Sequence, residues 1–211
     1  MISRILQSVT NRRAFLGAGA ALPLAPLLAG SGIDRARAQS AGALPAGSQI
    51  DGMTTVGNVD HARNGFDPHD ILDDWDQGSV TTDATGRRVR EYEITAVDIE
   101  IEIAPGVFFP AWAYNGRVPG PTIRAVEGEW LRVHFTNAGS HTHSIHFHGI
   151  HAAGMDGIAG AGLVAPGESF TYEMPAEPFG CHLYHCHAMP LKRHVHKGLY
   201  GAFIIDPDPA R

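Results

Sequence analysis

Arg90-Glu-Tyr-Glu-Ile-Thr-Ala-Val-Asp-Ile-Glu-Ile-Glu-Ile103 is the stretch that decides the fold. Tyr92, Ile94 and Ala96 alternate with charged or polar residues, and after Val97 the isoleucines 99, 101 and 103 alternate with glutamates without a fault. Side chains of a strand point to opposite faces with period two, so this pattern predicts a half-buried strand. Further strands are expected at 108–114, 121–126, 130–137, 143–150, 168–174, 180–187 and 199–206. Turn signals separate them: Asn115-Gly116, Pro119-Gly-Pro121, Asn137-Ala-Gly139 and Pro166-Gly167. Trp130-Leu-Arg-Val-His-Phe135 changes face after Trp130 and then alternates cleanly through Leu131, Val133 and Phe135. Short strands with frequent turns predict an all-β chain folded as a Greek-key β-sandwich.

Upstream the character differs. Residues 39–88 are rich in Gly, Ser, Thr, Asp and Asn and read as an N-terminal extension lying over a domain at 89–207. Within it Phe66–Trp75 can form a helical turn or two, with Asp67-Pro68 as its start. Residues 1–38 have the form of an export signal: Arg12-Arg13 precedes an apolar stretch from Ala18 to Ala29, and Ala36-Arg37-Ala38 is a plausible cleavage box. The apolar run is short and rich in Gly, Ala and Pro, which disfavours a stable membrane span. A twin-arginine route to the periplasm is therefore expected. The remainder would hold eleven basic against twenty-one acidic residues, a net −10, a poor charge for binding nucleic acid.

The histidines carry the chemistry. Of thirteen, ten fall in the windows 141–151 and 182–196. On strands, His146 and His148 share one face, His185 and His187 share one face, and Cys186 points the other way. His143 lies an odd number of residues from His146 and can accompany Cys186 inside, and His194 can return from the following loop. Two imidazoles and a thiolate with a weak or absent axial ligand make an electron-transfer copper site, while four outer imidazoles suit a second kind of copper with open positions. Zinc is the rival metal, but the excess of imidazole over thiolate and the His-Cys-His run favour copper. Cys181, five residues from Cys186, would point to the opposite face, so no disulfide is expected between them.

Several motifs together resemble the multicopper oxidases: Asn115-Gly-Arg-Val-Pro-Gly-Pro-Thr-Ile123, Glu127-Gly128, His143-Ser-Ile-His-Phe-His-Gly149, Met155-Asp-Gly157, Ala165-Pro-Gly-Glu-Ser-Phe-Thr-Tyr172 and Tyr184-His-Cys-His187. The likeness covers roughly residues 90–206 and implies a cupredoxin-like domain. It assigns type 1 copper to His143, Cys186 and His194, type 2 copper to His146, and type 3 copper to His148, His185 and His187. Leu199 takes the position where the family has Met, Leu or Phe, which implies a high-potential site without an axial bond; Met189 is an outside candidate for that bond. Asp156 can orient a histidine or assist proton delivery, or simply form the turn before Gly157.

Two departures stand out. The gap from Cys186 to His194 is eight residues rather than five, closer to the copper nitrite reductases. The family also uses eight histidines from two domains for its trinuclear cluster, whereas one domain here offers four. A homo-oligomer sharing copper sites is expected, either a twofold dimer or a ring that draws on His141, His151, His182 or His196. The resemblance implies an oxidoreductase that passes electrons from a phenol, a metal ion such as Cu(I) or a small protein to dioxygen. A nitrite reductase and a non-enzymatic copper or electron-transfer protein are the alternatives. Lys192, Arg193 and Lys197 form a basic patch near His194 that can dock an anionic substrate or redox partner.

Overall fold

The computed structural model describes residues 57–210; the export signal and residues 39–56 of the extension lie outside them. The strands are β1 (Ser79–Thr82), β2 (Arg88–Ala104), β3 (Val107–Tyr114), β4 (Ile123–Val126), β5 (Trp130–Asn137), β6 (His146–Phe147), β7 (Ser169–Pro175), β8 (Gly180–His185) and β9 (Tyr200–Asp206). Two short helices, α1 (His61–Asn64) and α2 (Leu191–His196), complete the set, with 3-10 turns at Pro68–Leu72 and Ala153–Met155. One sheet runs β1-β2-β5-β7 with β3 also paired to β2, and the other runs β4-β9-β8-β6. From β3 to β8 the chain steps back and forth between the sheets. This explains the parallel pairings of β2 with β5 and of β4 with β9, since parallel neighbours need a crossover.

β2 serves different partners along its length. Val89–Ala96 run beside β5, while Ala96–Ala104 pair with β3. Tyr92, Ile94 and Ala96 are buried opposite the second sheet, but Ile103 is 53% exposed. The alternation of Ile99, Ile101 and Ile103 is real, yet only Ile101 reaches the buried class, because this half of the strand overhangs the sandwich as a hairpin with β3.

The core joins both sheets through Ile94, Leu131, Val133 and Phe135 on one side and Ile123, Phe147, Tyr184 and Phe203 on the other. Three of the four buried tyrosines donate to loop carbonyls, Tyr114 to Ser144 O, Tyr184 to Pro121 O and Tyr172 to Gly162 O, each at 2.6 Å, while Tyr92 donates to Arg124 O in β4. The three loop carbonyls lie outside the strands, so those tyrosines fasten loops to the core. Among the described residues no helix is long and apolar enough to cross a membrane.

The expected strand at 143–150 shrinks to two residues, His146–Phe147. Ser144 and Ile145 give their backbone groups to Tyr114 and Tyr172 instead of to a ladder. His194 sits on helix α2 rather than in a loop, and residues of the expected extension supply β1, paired antiparallel with Arg88–Glu91. The turn read at Asp67-Pro68 is present with a capping box from Asp67 and Asp70.

Glu129 anchors the start of the sandwich. Its side chain is 3% exposed, takes hydrogen bonds from Arg90 at 2.5 and 2.9 Å and from Val126 N at 3.0 Å, and forms an ion pair with Arg88 at 2.9 Å. Burial pushes its carboxyl up, but the Arg90 bonds and the Val126 N–H overrule it and leave the carboxyl below its ordinary range. Its stabilising effect is thus complete above the ordinary carboxyl range and is lost as pH falls through the depressed folded value. Glu129→Gln strands Arg90 and should cost about 3 kcal/mol near neutrality. Denaturant titrations should show that difference shrinking in acid, and an equal loss at both pH values refutes this account.

Candidate metal centres

Three donors converge inside the sandwich where β8 ends and α2 begins. Cys186 Sγ lies 3.3 Å from His194 Nδ1 and 3.9 Å from His143 Nδ1, and the two Nδ1 atoms are 3.2 Å apart. Cys186 and His143 are 0% exposed and His194 is 4% exposed. Each donor arrives on a separate segment. Cys186 follows β8 and bonds its N–H to Leu199 O at 3.0 Å, His143 is bridged to Val164, and His194 is carried by α2.

Burial controls the protonation of these groups. It pushes His143 down to about 4, with the charge of His194 adding to the effect, and it lowers His194 as well, so both rings are neutral at pH 7. Burial also raises the Cys186 thiol, against hydrogen bonds from Ala188 and Ser144. His143 Nε2 is buried with no hydrogen-bond partner among the described residues. All polar contacts of that ring therefore run to the sulfur and to His194. Two neutral imidazole nitrogens facing each other and a thiol can share few protons, whereas one cation satisfies all three donors. The set fits a His-His-Cys copper site. Trp112 covers it, with ring centroids 5.1 Å from His143 and 4.8 Å from His194, and Leu199 is fully buried in the same cluster as Cys186.

The outer histidines form a second cluster on the other side of Cys186. His148 Nε2 and His185 Nε2 are 2.8 Å apart, and the His146 ring lies 4.8 Å from His148, 5.1 Å from His185 and 4.4 Å from His187. β6 and β8 bring them together through the register pair His146–His185. Oxygen atoms fix the tautomers. Nδ1 of His185 meets Cys186 O at 2.9 Å, and Nδ1 of His187 meets Asp156 O at 2.9 Å. Nδ1 of His146 meets the Asp156 carboxylate at 2.8 Å. These oxygens only accept, so each Nδ1 carries the proton and each Nε2 presents a lone pair to a metal. Two ligand groups result, His146-His148-His185 and His146-Asp156-His187. Burial lowers His146 and His185, which keeps them neutral, although their oxygen partners work the other way.

Asp156 does more than turn the chain. Its carboxylate is 2.8 Å from His146, 3.2 Å from His187 and 3.5 Å from His151. Partial burial works to raise its carboxyl, but the His146 hydrogen bond and the neighbouring imidazoles bring it below the ordinary range. Gly157, at φ +79°, makes the approach possible: a Cβ there would lie 2.8 Å from Ile145 O.

Sequence reasoning gave His151 only as a reserve ligand for a ring and left Ser144 and Trp112 without a role. His151 joins the outer cluster, 4.5 Å from the His146 ring. Ser144 donates nothing to a ladder, and its Oγ instead accepts from His187 N at 3.0 Å. Trp112 was visible only as one apolar residue of a strand. Met189 is 80% exposed, so it does not share the buried position of Leu199. Cys181 is exposed and Cys186 buried, both free. His141 stacks on Trp112 at 4.5 Å and His182 bonds to Pro178 O, and neither belongs to the outer cluster.

A family model described as multicopper oxidase matches residues 96–210. A solved structure titled "Crystal structure of multicopper oxidase" is 58% identical, with TM-score 0.69 over 71% of this chain and 53% of that one. A copper-containing nitrite reductase of Neisseria meningitidis serogroup A is 34% identical over 54% of this chain and 30% of its own length. An L-ascorbate oxidase of Brassica rapa is 43% identical over 44% of this chain and 17% of its own. The chain thus spans less than a third of these two curated relatives and about half of the solved structure.

Proposed function

Since the chain belongs to the multicopper oxidase family, a family that binds copper, we propose that it is an oxidoreductase taking single electrons at a type 1 copper held by His143, Cys186 and His194 and passing them to an imidazole-bound copper centre that reduces dioxygen. Copper, when bound, supplies one-electron redox chemistry at the first site and open positions for dioxygen at the second. The observation that carries the reading is the placement of Cys186 between His185 and His187. The sulfur faces the buried triad while both neighbours face the outer cluster, so one covalent segment joins them.

The residues divide the work. His143 and His194 hold neutral nitrogens toward the sulfur in the buried interior. Leu199 keeps an apolar side chain beside them, its backbone tied to Cys186 and His194. His146 as type 2 ligand and His148, His185 and His187 as type 3 ligands present Nε2 outward. Asp156 positions His146 and His187 by holding their Nδ1 protons. His148 is exposed, and the histidines missing from a full cluster come from a second domain or a second copy of the chain, in a dimer or a ring. The leader at 1–38 directs export to the periplasm.

Leu199→Met offers a thioether where none is present. A redox titration of the copper-loaded protein should give a lower potential with an altered visible spectrum; an unchanged potential argues against Leu199 occupying the axial position.

A second reading, nitrite reduction at a mononuclear type 2 copper, is favoured by the nitrite reductase relative and by the long segment before His194. Copper counted per chain in the purified oligomer, with oxygen uptake on a phenol, decides. More than two coppers with uptake supports the oxidase. Two with nitrite turnover supports the reductase. One with neither leaves only a carrier and defeats both.

A further inference from the structure

The His143 ring carries an unfinished contact. When a metal occupies Nδ1, the ring proton must sit on Nε2, and that nitrogen is buried with no hydrogen-bond partner among the described residues. A buried N–H left unpaired is costly. Asp98, on β2, brings an acceptor to it. A Cβ at Gly139 would lie 3.1 Å from Asp98 Oδ1 and 3.1 Å from His143 Nε2, so the carboxylate and the edge of the ring meet across a notch that the glycine leaves open.

Several contacts aim the carboxylate there. Asp98 is the cross-strand partner of Trp112, whose ring packs on His143. Asp98 Oδ2 accepts from Ser140 N at 3.1 Å, Gly139 N donates to Asn137 Oδ1 at 3.0 Å, and Ala138 N donates to Ala96 O at 2.9 Å. The turn that leads to His143 is thus pinned to β2, with Asp98 Oδ1 facing the notch. Burial, and after it the charge of His194, lowers the pKa of His143, and Asp98 is the group that works the other way. His141, the other polar side chain nearby, is turned to Ser140 Oγ at 2.8 Å, its ring centroid 6.5 Å from that of His143.

We propose that Asp98 is a positioning residue of the inner site: its carboxylate takes the Nε2 proton of His143 across the Gly139 notch and holds the ring toward Cys186. The inference rests on the assignment of His143, Cys186 and His194 to one copper. The charge of Asp98 has a second effect. Copper(II) carries one positive charge more than copper(I), so a carboxylate one imidazole away favours the oxidised metal and lowers the potential.

Redox titration and chelator competition on the copper-loaded full chain test this. Asp98→Asn keeps an acceptor for Ser140 N and removes the charge, so the potential should rise and the visible band shift while copper affinity changes little. Gly139 is not in the left-handed region, so alanine fits its backbone. The added methyl group closes the notch with the charge still in place, and the inner copper should bind about tenfold weaker. Asp98→Ala should combine both changes. Glu93→Gln, which removes an exposed carboxylate from the same strand, should alter neither property. An Asp98→Asn potential equal to that of Glu93→Gln, or a Gly139→Ala protein that holds copper as tightly as the unsubstituted one, overturns the proposal. Absence of the thiolate band from the unsubstituted protein defeats the copper assignment itself, and this role with it.

Discussion

Cys186→Ser should remove the intense visible absorption of the copper-loaded protein and cut electron uptake from any donor by at least about a thousandfold, roughly 4 kcal/mol in barrier terms. The colour of a thiolate-bound copper belongs to the sulfur, and a serine hydroxyl at the same place remains protonated and binds weakly. The substitution is close to isosteric, and the Cys186 N–H bond to Leu199 O does not involve the side chain. The fold should therefore survive, as circular dichroism can check. The outer cluster has its own Nε2 donors, so copper should be lost from the inner site and retained outside. Metal analysis and absorption on the same sample give the answer. Colour that persists would mean that another residue holds the inner copper, and the assignment of His143, Cys186 and His194 would fall together.

Asp156→Ala should have the reverse signature. It removes a carboxylate within 3.5 Å of His146, His151 and His187, and groups that orient metal-binding imidazoles are worth about 10- to 100-fold in metal affinity. The outer copper should weaken by that factor while the visible band of the inner site stays. Asp156→Asn keeps an acceptor oxygen for Nδ1 and loses only the charge, so it should fall between. Two details bound the effect: His146 and His187 also reach Asp156 O at 3.1 and 2.9 Å, contacts that a side-chain change leaves in place. Competitive chelator titrations of the loaded protein measure it. If alanine and aspartate hold the outer copper equally well, Asp156 is a turn residue and nothing more.

The strands β5, β7 and β9 were legible because each alternates between a buried face and a wetter one, and burial imposes period two on the residues themselves. The segment at 143–150 failed that test for a physical reason. Its polar backbone is consumed by Tyr114 and Tyr172, which lie far away in sequence, so no local pattern announces it. Helix α2 escaped for a related reason. Six residues containing two histidines and two cations carry no amphipathic period, and its start at Pro190 has no side-chain cap.

Sequence by itself determined the donor set. Thiol and imidazole are fixed by composition, and alternation around Cys186 already divides an inner group from an outer one. Tertiary structure decided which nitrogen of each of these outer rings faces the metal, because the tautomer depends on the oxygen atoms that the fold sets beside Nδ1: Asp156 for His146 and His187, and the neighbouring Cys186 O for His185. It also decided that Trp112 walls the inner site, that His151 joins the outer one, and that Lys197, just past α2, lies over Phe109. Several of those relations, such as Asp156 with His187 and Trp112 with His194, join residues tens of positions apart, and only the closing of two sheets on one core brings them within contact distance.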